Sequence, residues 1–388
     1  MPDTAALDRL FSAATDTGRV PGLVAILAGP KGTLYEGAFG VRALGAPAPM
    51  TTDTVFAIAS MTKAITGAAA MQLVEQGKLS LDAPARLVCP ELGTRQVLEG
   101  FSPDGTPRLR PARVEITLRH LMTHTAGFGY DMWNPLIARY MREKKIPAAR
   151  TGLLASLDQP LTFDPGSRWQ YGINIDWIGR MIEAASGENL EDYFRNHLFG
   201  PLAMPDSGFR ISPSMQERRV TRHQRAPDGS LSPSPVDPSP NPEFFAGGGG
   251  LFSTGPDYVR FLRALLNGGE LDGARVLRAE TVADMGRNHM GHLRMEVMPT
   301  QNPIVTNNVD PFPTVPKGWG LSFFVNLEPT PSGRSAGGLA WAGINNTWYW
   351  VDPTRQRCAV LMTQILPFAD AAVLELLEEF ERITNGIG

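Results

Sequence analysis

Short apolar runs typical of β-strands lie at both ends of this 388-residue chain, whereas helical patterns fill its middle. Two runs near the N-terminus, residues 20–28 and 33–39, flank the turn sequence GPKG and indicate a hairpin. Four further runs near the C-terminus occupy residues 320–327, 339–344, 347–351 and 358–364. A sheet whose strands come from both termini, with a helical insert between them, satisfies this order. The pattern therefore predicts an α+β fold whose antiparallel sheet is built from both termini.

Helical spacing accounts for much of the rest of the chain. The segments are residues 61–76, 118–123, 173–185 and 257–266, with a closing helix at 371–383 and an amphipathic helix at the N-terminus. Two stretches rich in Pro and Gly, residues 226–250 and 297–318, are too long for ordinary connections. We expect them to be loops over a surface or a cleft. The sheet is thus expected to be flanked by helices and to carry a mainly helical insert.

Charge and hydrophobicity narrow the classes of partner. The formal net charge is −3, and 43% of the residues are hydrophobic. Such a balance gives no electrostatic reason to expect nucleic acid or an anionic membrane surface as a partner. The sequence also has no basic segment followed by an apolar segment at its start, and no apolar run of about 18 residues. We therefore expect a cytoplasmic, soluble protein.

The cysteines and histidines do not form a recognisable metal or disulfide pattern. Cys89 and Cys358 are far apart in a chain without an export signal, so we expect two buried thiols. His120 and His124 have helical spacing, as have His289 and His292, but neither pair belongs to an H-E-x-x-H motif. We predict no metal and no cofactor.

The sequence GRSAG at residues 333–337 has the G-x-S-x-G form of a nucleophile elbow. Such an elbow requires a strand that turns directly into a helix, because this turn presents the serine together with the amides that bind the oxyanion. Ser335 instead follows a Pro-rich stretch and precedes a strand-like run, and no histidine follows it. We therefore predict that GRSAG is a turn and that Ser335 is not the nucleophile.

A second candidate serine occurs in Ser60-Met61-Thr62-Lys63, an S-x-x-K sequence at the start of the Ala-rich segment 61–76. Ser60 would lie in the first helical turn, where free amides and the helix dipole favour negative charge. Lys63 is three residues further on, so it shares that face and can reach the Ser60 hydroxyl. A surface lysine after a helix cap is the alternative, but exposed lysines rarely occupy so apolar a helix. The pattern predicts an activated serine.

Two other segments could complete such a site. Tyr171 follows a Pro-Gly turn and precedes the helix predicted at 173–185, so it can face a cleft and move protons, although packing alone would also explain it. Trp341, Ala342, Gly343 and Ile344 lie on an apparent strand whose small residues would let a substrate approach the backbone amides. A core strand is the alternative for the second segment.

Together these motifs resemble the family VIII carboxylesterases, which are relatives of class C β-lactamases and penicillin-recognising enzymes. The matching motifs, in chain order, are SMTK at 60–63, LMTHTAG at 121–127, the tyrosine segment 163–172, GGGLFST at 248–254 and WAG at 341–343. The resemblance implies a two-domain β-lactamase-like fold. Residues 1–80 and 250–388 are then an α/β sandwich domain, and residues 81–249 are a mainly helical domain.

The resemblance also implies roles for individual residues. Ser60 is the expected nucleophile, Lys63 and Tyr171 the activating pair, and the amides of Ser60 and Ile344 the oxyanion hole. Trp341 and Gly343 are the expected substrate contacts, and Trp341 occupies the place where lactamases have the lysine of Lys-Thr-Gly. The chain departs from the lactamase Tyr-x-Asn motif. The second residue after Tyr171 is an isoleucine, and Asn174 comes one position later.

These residues predict an esterase that cleaves short-chain neutral carboxylic esters through an acyl-enzyme on Ser60. A β-lactamase, a D-aminopeptidase or an acyltransferase could use the same site, and a penicillin-binding-like module without turnover is an alternative of a different class. The expected partner is a small-molecule ester, with neither nucleic acid nor a membrane involved. The sequence leaves open the oligomeric state, the natural ester and the choice of Lys63 or Tyr171 as the base.

Overall fold

A computed structural model describes residues 2–235 and 241–387 of the chain. Its main sheet has seven strands, and all neighbouring strands are antiparallel. In chain order the strands are Gly22–Gly29, Gly32–Gly40, Lys317–Trp319, Phe324–Asn326, Leu339–Gly343, Thr347–Asp352 and Arg357–Met362. The N-terminal hairpin pairs with the last of these strands, with Val24 opposite Met362. The sheet is therefore built from both termini, and the predicted fold class is confirmed.

Two of the sequence-predicted segments differ in detail from the structure. The run at 320–327 forms a strand only from Phe324 to Asn326, because the chain turns tightly just before it. There the Gly320 amide donates to the Phe323 carbonyl, and Ser322 has a left-handed φ of 74°. The stretch at 297–318 ends in the edge strand Lys317–Trp319 rather than continuing as a loop.

Helices cover both faces of the sheet. In chain order the α-helices are Thr4–Asp16, Thr62–Glu75, Leu118–Met122, Pro135–Lys144, Asn174–Ser186, Leu190–Phe194, Pro213–Glu217, Gly255–Leu266, Ala279–Met285 and Ala371–Asn385. Tyr349 and Trp350 are neighbours on one strand, so their side chains point to opposite faces. Tyr349 packs against Tyr258 of the eighth helix, and Trp350 against Phe380 of the last helix. These two helices therefore lie on opposite faces.

The helix Thr62–Glu75 is buried along its first twelve residues, from Thr62 to Leu73. It packs against the helix Asn174–Ser186, and its sequence is rich in Ala. Lys63 is inside this apolar helix and is only 1% exposed. The prediction of a buried helix at 61–76 is confirmed, and the alternative of a surface lysine is wrong.

The connecting segments contain several small sheets. The strand Val55–Ala57 pairs with Phe252–Thr254, and Gln96–Phe101 pairs with Pro107–Pro111. A third sheet joins Ile365–Leu366 to His223–Arg225 and Leu231–Pro233, and a fourth joins Glu270–Leu271 to Ala274–Arg275. The last strand of the third sheet lies within the stretch predicted as a loop at 226–250, of which residues 236–240 lie outside the described part.

Across residues 2–235 and 241–387, none of the helices has the length and apolar character needed to cross a membrane. The boundaries of the two predicted domains, at residues 80/81 and 249/250, stay a prediction.

Candidate active site

Ser60 lies in a strand–turn–helix connection. The strand Val55–Ala57 leads into a single 3₁₀ turn, Ala59–Met61, and the helix Thr62–Glu75 follows at once. Ala59 has a left-handed φ of 44°, which is uncommon for a residue with a Cβ. Ser60 is partly exposed at this turn. The chain geometry that a nucleophile elbow requires is therefore present at Ser60.

The turn is held by side chains from the far end of the chain. Gln364 binds both backbone groups of Ala57, accepting from its amide at 2.8 Å and donating to its carbonyl at 3.2 Å. Asn345 donates to the same carbonyl at 3.2 Å. Such clamping sustains the backbone strain at Ala59 and fixes the position of the serine.

The Lys63 ammonium group is the centre of the polar contacts around Ser60. Lys63 Nζ lies 3.1 Å from Ser60 Oγ, 3.2 Å from the Tyr130 hydroxyl and 2.5 Å from the Gly248 carbonyl oxygen. Burial lowers the pKa of Lys63 to about 7, and the nearby Asp176 carboxylate opposes this shift. A pKa in this range makes the neutral amine of Lys63 accessible near neutral pH. A neutral amine can accept the proton of the serine hydroxyl.

This protonation state predicts the pH profile of the reaction. For a neutral ester, kcat/KM is expected to rise about tenfold per pH unit at low pH, to bend near pH 7 and to level off above it. The sign follows from the expected role of Lys63 as a base: a base acts without its proton, and Lys63 loses its proton as the pH rises through its pKa of about 7. Stopped-flow assays with p-nitrophenyl butyrate between pH 5 and pH 9 test this. A profile that is flat from pH 5.5 to pH 8 would contradict it.

Tyr171 is buried beside the same serine. Its hydroxyl is hydrogen-bonded to Ser60 and accepts the Trp341 Nε1–H at 2.7 Å. Burial raises the pKa of Tyr171 above its usual range, although these two hydrogen bonds oppose the shift. Tyr171 therefore keeps its proton at neutral pH. The structure brings Ser60, Lys63 and Tyr171 together, as the sequence-based prediction required.

Tyr130 is a member of this group that the sequence analysis did not identify. Its hydroxyl is 3.2 Å from Lys63 Nζ, and its ring lies 5.4 Å from that of Tyr171. The two tyrosines approach because Gly129 and Gly172 pack backbone against backbone. A Cβ on Gly172 would lie 2.6 Å from the Gly129 amide nitrogen. The glycine next to each tyrosine was the sequence feature that could have indicated this close approach.

The predicted oxyanion-hole residues lie on either side of one close backbone contact. The strand Leu339–Gly343 packs against Ile58, two residues before Ser60, and the Thr347 hydroxyl donates to the Ile58 carbonyl at 3.3 Å. Among the hydrogen bonds of the described residues, none uses the amide of Ser60 or Ile344 as donor. Both amides are thus available to a bound group. Their role as an oxyanion hole stays a prediction.

The structure changes the interpretation of the two predicted substrate contacts. A Cβ on Gly343 would lie 2.3 Å from the Ile58 carbonyl oxygen and 2.3 Å from Thr347 Oγ1. The space that Gly343 leaves is therefore filled by the protein rather than by a ligand. Trp341 was expected to contact a substrate, but its N–H is donated to the Tyr171 hydroxyl. Trp341 therefore orients Tyr171, and only its ring remains for apolar contact.

Asn174 explains the departure from the Tyr-x-Asn motif. It is fully buried, and its side-chain amide is hydrogen-bonded to His124 Nδ1 at 2.9 Å. Burial, together with the charge of Lys63, holds the pKa of His124 well below its usual value. The shift of Asn174 by one position has thus placed its amide in the core, against a neutral histidine. The side-chain amide of Asn174 is therefore hydrogen-bonded to His124 and does not point to a ligand in the cleft.

Three of the four histidines in the predicted pairs, His120, His124 and His289, have hydrogen-bond partners within the protein. His120 Nδ1 accepts the Thr117 amide in a capping box, and His289 contacts Arg119. Cys89 and Cys358 are buried free thiols. Within residues 2–235 and 241–387, no group of three or more His, Cys, Asp or Glu side chains could hold a metal ion.

Aromatic side chains surround the catalytic group. Besides the two tyrosines they are Trp133, Trp169, Trp319, Trp341 and Phe368. Tyr171 contacts the first four of these rings, with centroid separations between 5.0 and 6.5 Å. Apart from Trp133, these rings are at most 6% exposed, so nearly all of their surface packs within the protein.

Ser335 lies on the loop between the strands Phe324–Asn326 and Leu339–Gly343. Its amide donates to Asp352 and its carbonyl accepts from Asn326, so its backbone closes a turn. The preceding Arg334 is buried and ion-paired with Glu381 of the last helix. The GRSAG sequence therefore anchors that helix to the sheet, and the prediction of a turn is confirmed.

This anchor leads to a stability prediction. Glu381→Gln is expected to lower the free energy of unfolding by about 3–5 kcal/mol, because it leaves the buried Arg334 charge unpaired. The kcat of the folded variant is expected to be unchanged. Urea unfolding followed by fluorescence measures the effect, and the exposed Glu378→Gln on the same helix is the control. Equal effects of the two substitutions would show that the buried pair does not stabilise the helix.

The profile of the Beta-lactamase family matches residues 7–380, which is nearly the whole chain. The chain belongs to the Beta-lactamase family.

Similar proteins within and around this family include acyltransferases and an esterase. Monacolin J acid methylbutanoyltransferase of Aspergillus terreus is 32% identical, over 97% of this chain and 94% of its own. Lovastatin esterase of Penicillium rubens is 33% identical, over 96% of each chain. The unliganded structure of simvastatin synthase (LovD) from Aspergillus terreus superposes with a TM-score of 0.88 at 30% identity, covering 100% of this chain and 99% of that one. This member of the Beta-lactamase family is therefore a serine hydrolase or acyltransferase in its broad class.

Proposed function

We propose that the protein is a carboxylesterase of the family VIII type, which cleaves neutral esters through an acyl-enzyme on Ser60. The observation that carries this proposal is the contact of a buried lysine, with a pKa of about 7, with the hydroxyl of a serine at a helix N-terminus. An amine with a pKa near 7 can act as a general base at neutral pH. The proposal needs no cofactor.

The proton path follows from the two pKa shifts. Lys63 in its neutral form takes the proton of Ser60 as the hydroxyl attacks the ester carbonyl. The amides of Ser60 and Ile344 bind the oxyanion that develops. Tyr171 keeps its own proton at neutral pH, so it can donate this proton to the leaving alcohol. Lys63, which holds the proton taken from Ser60, then reprotonates Tyr171. Water then takes the place of the alcohol and attacks the acyl-enzyme, and the proton transfers run in the reverse direction. Lys63 is the base in this scheme and Tyr171 the acid.

The surroundings of the site favour a neutral substrate over a carboxylate-bearing β-lactam. The position of the lactamase Lys-Thr-Gly lysine is held by Trp341, which offers no positive charge. Arg294, an arginine on the flank of the Pro-rich stretch 297–318, donates to the carbonyls of Gly291 and Leu293 in its own loop. The Asn174 amide is likewise occupied by His124. Two groups that would recognise a β-lactam are therefore missing from the cleft.

This leads to a selectivity prediction for the wild-type enzyme. Without a charge-assisted hydrogen bond to its carboxylate, cefalotin is expected to lose about 10- to 150-fold in kcat/KM relative to a neutral ester. The measurement is kcat/KM for p-nitrophenyl butyrate and for cefalotin under one set of conditions. Trp341→Lys is not a clean test, because it would also remove the hydrogen bond to Tyr171. Equal or better values for cefalotin would contradict the esterase proposal.

Acyl transfer to an alcohol is a second candidate function. It is favoured by the 32% identity with a methylbutanoyltransferase over 97% of this chain. An acyl-enzyme on Ser60 serves both reactions, and they differ only in whether water or an alcohol takes the acyl group. A slow reaction with water and a fast one with alcohol would make the protein a transferase.

One substrate panel tests both functions. Turnover of p-nitrophenyl butyrate, lovastatin, cefalotin and a D-amino acid amide is measured side by side, with and without an added alcohol. Hydrolysis of the first two supports the esterase proposal, and an ester product that increases with the alcohol concentration supports transfer. A stoichiometric burst without turnover would favour a penicillin-binding-like module and contradict both.

A further inference from the structure

Asp176 is a buried carboxylate close to Lys63 that the proposed reaction does not use. It is 1% exposed and stands in the first turn of the helix Asn174–Ser186. Its Oδ1 accepts the Gly248 amide at 2.8 Å, and its Oδ2 is bonded to no described residue. No ion pair neutralises it within 4.0 Å among the pairs of the described chain. A buried carboxylate in such surroundings calls for a physical reason.

The Gly248 peptide region joins Asp176 to Lys63. The amide of Gly248 donates to Asp176, and the carbonyl of the same residue accepts from Lys63 Nζ at 2.5 Å. Hydrogen bonds in such a chain polarise one another, and in a low dielectric they are stronger than in water. The two side chains come from different buried helices and meet at one glycine.

Only a glycine permits this arrangement at position 248. A Cβ there would lie 2.6 Å from Oδ2 and 2.8 Å from Oδ1 of Asp176. The neighbouring Gly247 is tied to the same helix as Lys63, because its carbonyl accepts from Thr66 at 2.7 Å. The glycine-rich segment that the sequence analysis singled out therefore contacts both helices, through Gly248 and Asp176 on one side and Gly247 and Thr66 on the other.

Asp176 is also the neighbour of Lys63 that can carry a charge of opposite sign. The titratable groups that face Lys63 are Tyr130, Tyr171, His124 and Asp176. Burial raises the pKa of both tyrosines and lowers that of the histidine, so these three are neutral near pH 7. Burial also raises the pKa of Asp176, but Lys63, two backbone amides and the helix N-terminus oppose that shift. Asp176 is thus the group beside Lys63 with the lowest ordinary pKa, and Gly248 links its carboxylate to the lysine.

We propose that Asp176 is a positioning residue, which holds Lys63 through Gly248 and whose negative charge sets the protonation of the lysine. The proposal rests on the proposed function, in which Lys63 is the base. Without the carboxylate, burial alone acts on the amine, which then loses its proton at lower pH and becomes a weaker base. Asp176 touches neither Ser60 nor the ester, so it acts on the reaction only through Lys63.

The test is the pH profile of Asp176→Asn. The acid limb of kcat/KM for p-nitrophenyl butyrate is expected to move down by about one pH unit, and the plateau is expected to fall, since a weaker base is a poorer catalyst. KM is expected to change little. Inactivation of Ser60 by a neutral fluorophosphonate, measured over the same pH range, is expected to show the same displacement without depending on the substrate.

A matched control and a second variant keep the proposal falsifiable. Glu191 is equally buried and accepts the Phe209 amide, but it is not connected to Lys63, so Glu191→Gln is expected to leave the limb in place. Gly248→Ala, whose methyl group would displace the Asp176 carboxylate, is expected to move the limb in the same direction as Asp176→Asn.

The outcomes separate this proposal from the proposed function. A limb that stays in place or moves to higher pH in Asp176→Asn overturns the role of Asp176, and so does loss of folding in both variants. An active Ser60→Ala enzyme would overturn the proposed function and this proposal together. Inactive Ser60→Ala with an unmoved limb in Asp176→Asn overturns this proposal alone.

Discussion

Ser60→Ala is expected to lower ester hydrolysis by at least about 10⁴-fold, whereas Ser335→Ala retains most of the wild-type rate. The difference arises from their surroundings. Ser60 Oγ lies 3.1 Å from a lysine whose pKa is about 7, at the end of a strand–turn–helix connection. Ser335 closes a loop through its backbone and stands beside an arginine that is already ion-paired. Steady-state rates with p-nitrophenyl butyrate give the comparison.

A second readout identifies the acylated residue directly. Intact mass spectrometry of quenched wild-type enzyme and of Ser335→Ala is expected to show the mass of one acyl group, and Ser60→Ala is expected to show none. Thermal melting of all three proteins controls for misfolding. Similar losses of rate in the two variants, or acylation that survives in Ser60→Ala, would mean that Ser60 is not the nucleophile.

The sequence predicted the local part of this site well. Ser60 and Lys63 are separated by one helical turn, so their approach depends only on the helix between them. The apolar composition of residues 61–76 likewise indicated that Lys63 is buried, and burial is the main cause of its lowered pKa. The sheet could be predicted because its strands lie at both ends of the chain and each has a clear apolar pattern.

Contacts between distant segments could not be predicted in the same way. Tyr130, Asp176 and Gly248 all meet near Lys63, yet they are separated from it by 67, 113 and 185 positions in the chain. None of the three belongs to a spacing pattern that implies an approach, because their positions depend on how helices and glycine-rich segments pack. Asn174 illustrates the point. Its place one position after the expected motif was evident, but its partner His124 was not.

In the strand segment, Trp341 and Gly343 have structural roles that differ from the substrate contacts predicted for them. Gly343 is small because the backbone of Ile58 lies against it, which holds the nucleophile turn to the sheet. Trp341 donates its N–H to Tyr171 rather than to a ligand. Trp341 therefore holds Tyr171 in place, and Gly343 allows the turn of Ser60 to pack against the sheet. A motif can be recognised before its structural role is known, because sequence spacing does not reveal which side of a residue faces the cleft.

The proton path through Lys63 and Tyr171 is expected to behave as a single unit. Lys63→Ala and Tyr171→Phe should each lower kcat by at least about 10²-fold, the usual effect of removing a proton-transfer group. The double variant should lose much less than the product of the two effects, because neither residue completes the path alone. Both contact Ser60 directly, and Lys63 Nζ lies 4.7 Å from the centre of the Tyr171 ring.

Tyr130→Phe is the matched control for this cycle. It removes a hydroxyl that contacts Lys63 at 3.2 Å, but it leaves the Tyr171 hydroxyl in place. Loss of one such hydrogen bond is expected to lower kcat by about tenfold or less. Rates for the four variants with p-nitrophenyl butyrate, compared with wild type at pH 8, complete the cycle. A Tyr171→Phe enzyme with near-normal kcat, or a Tyr130→Phe enzyme that loses more than Tyr171→Phe, would transfer the role of proton donor from Tyr171 to another group.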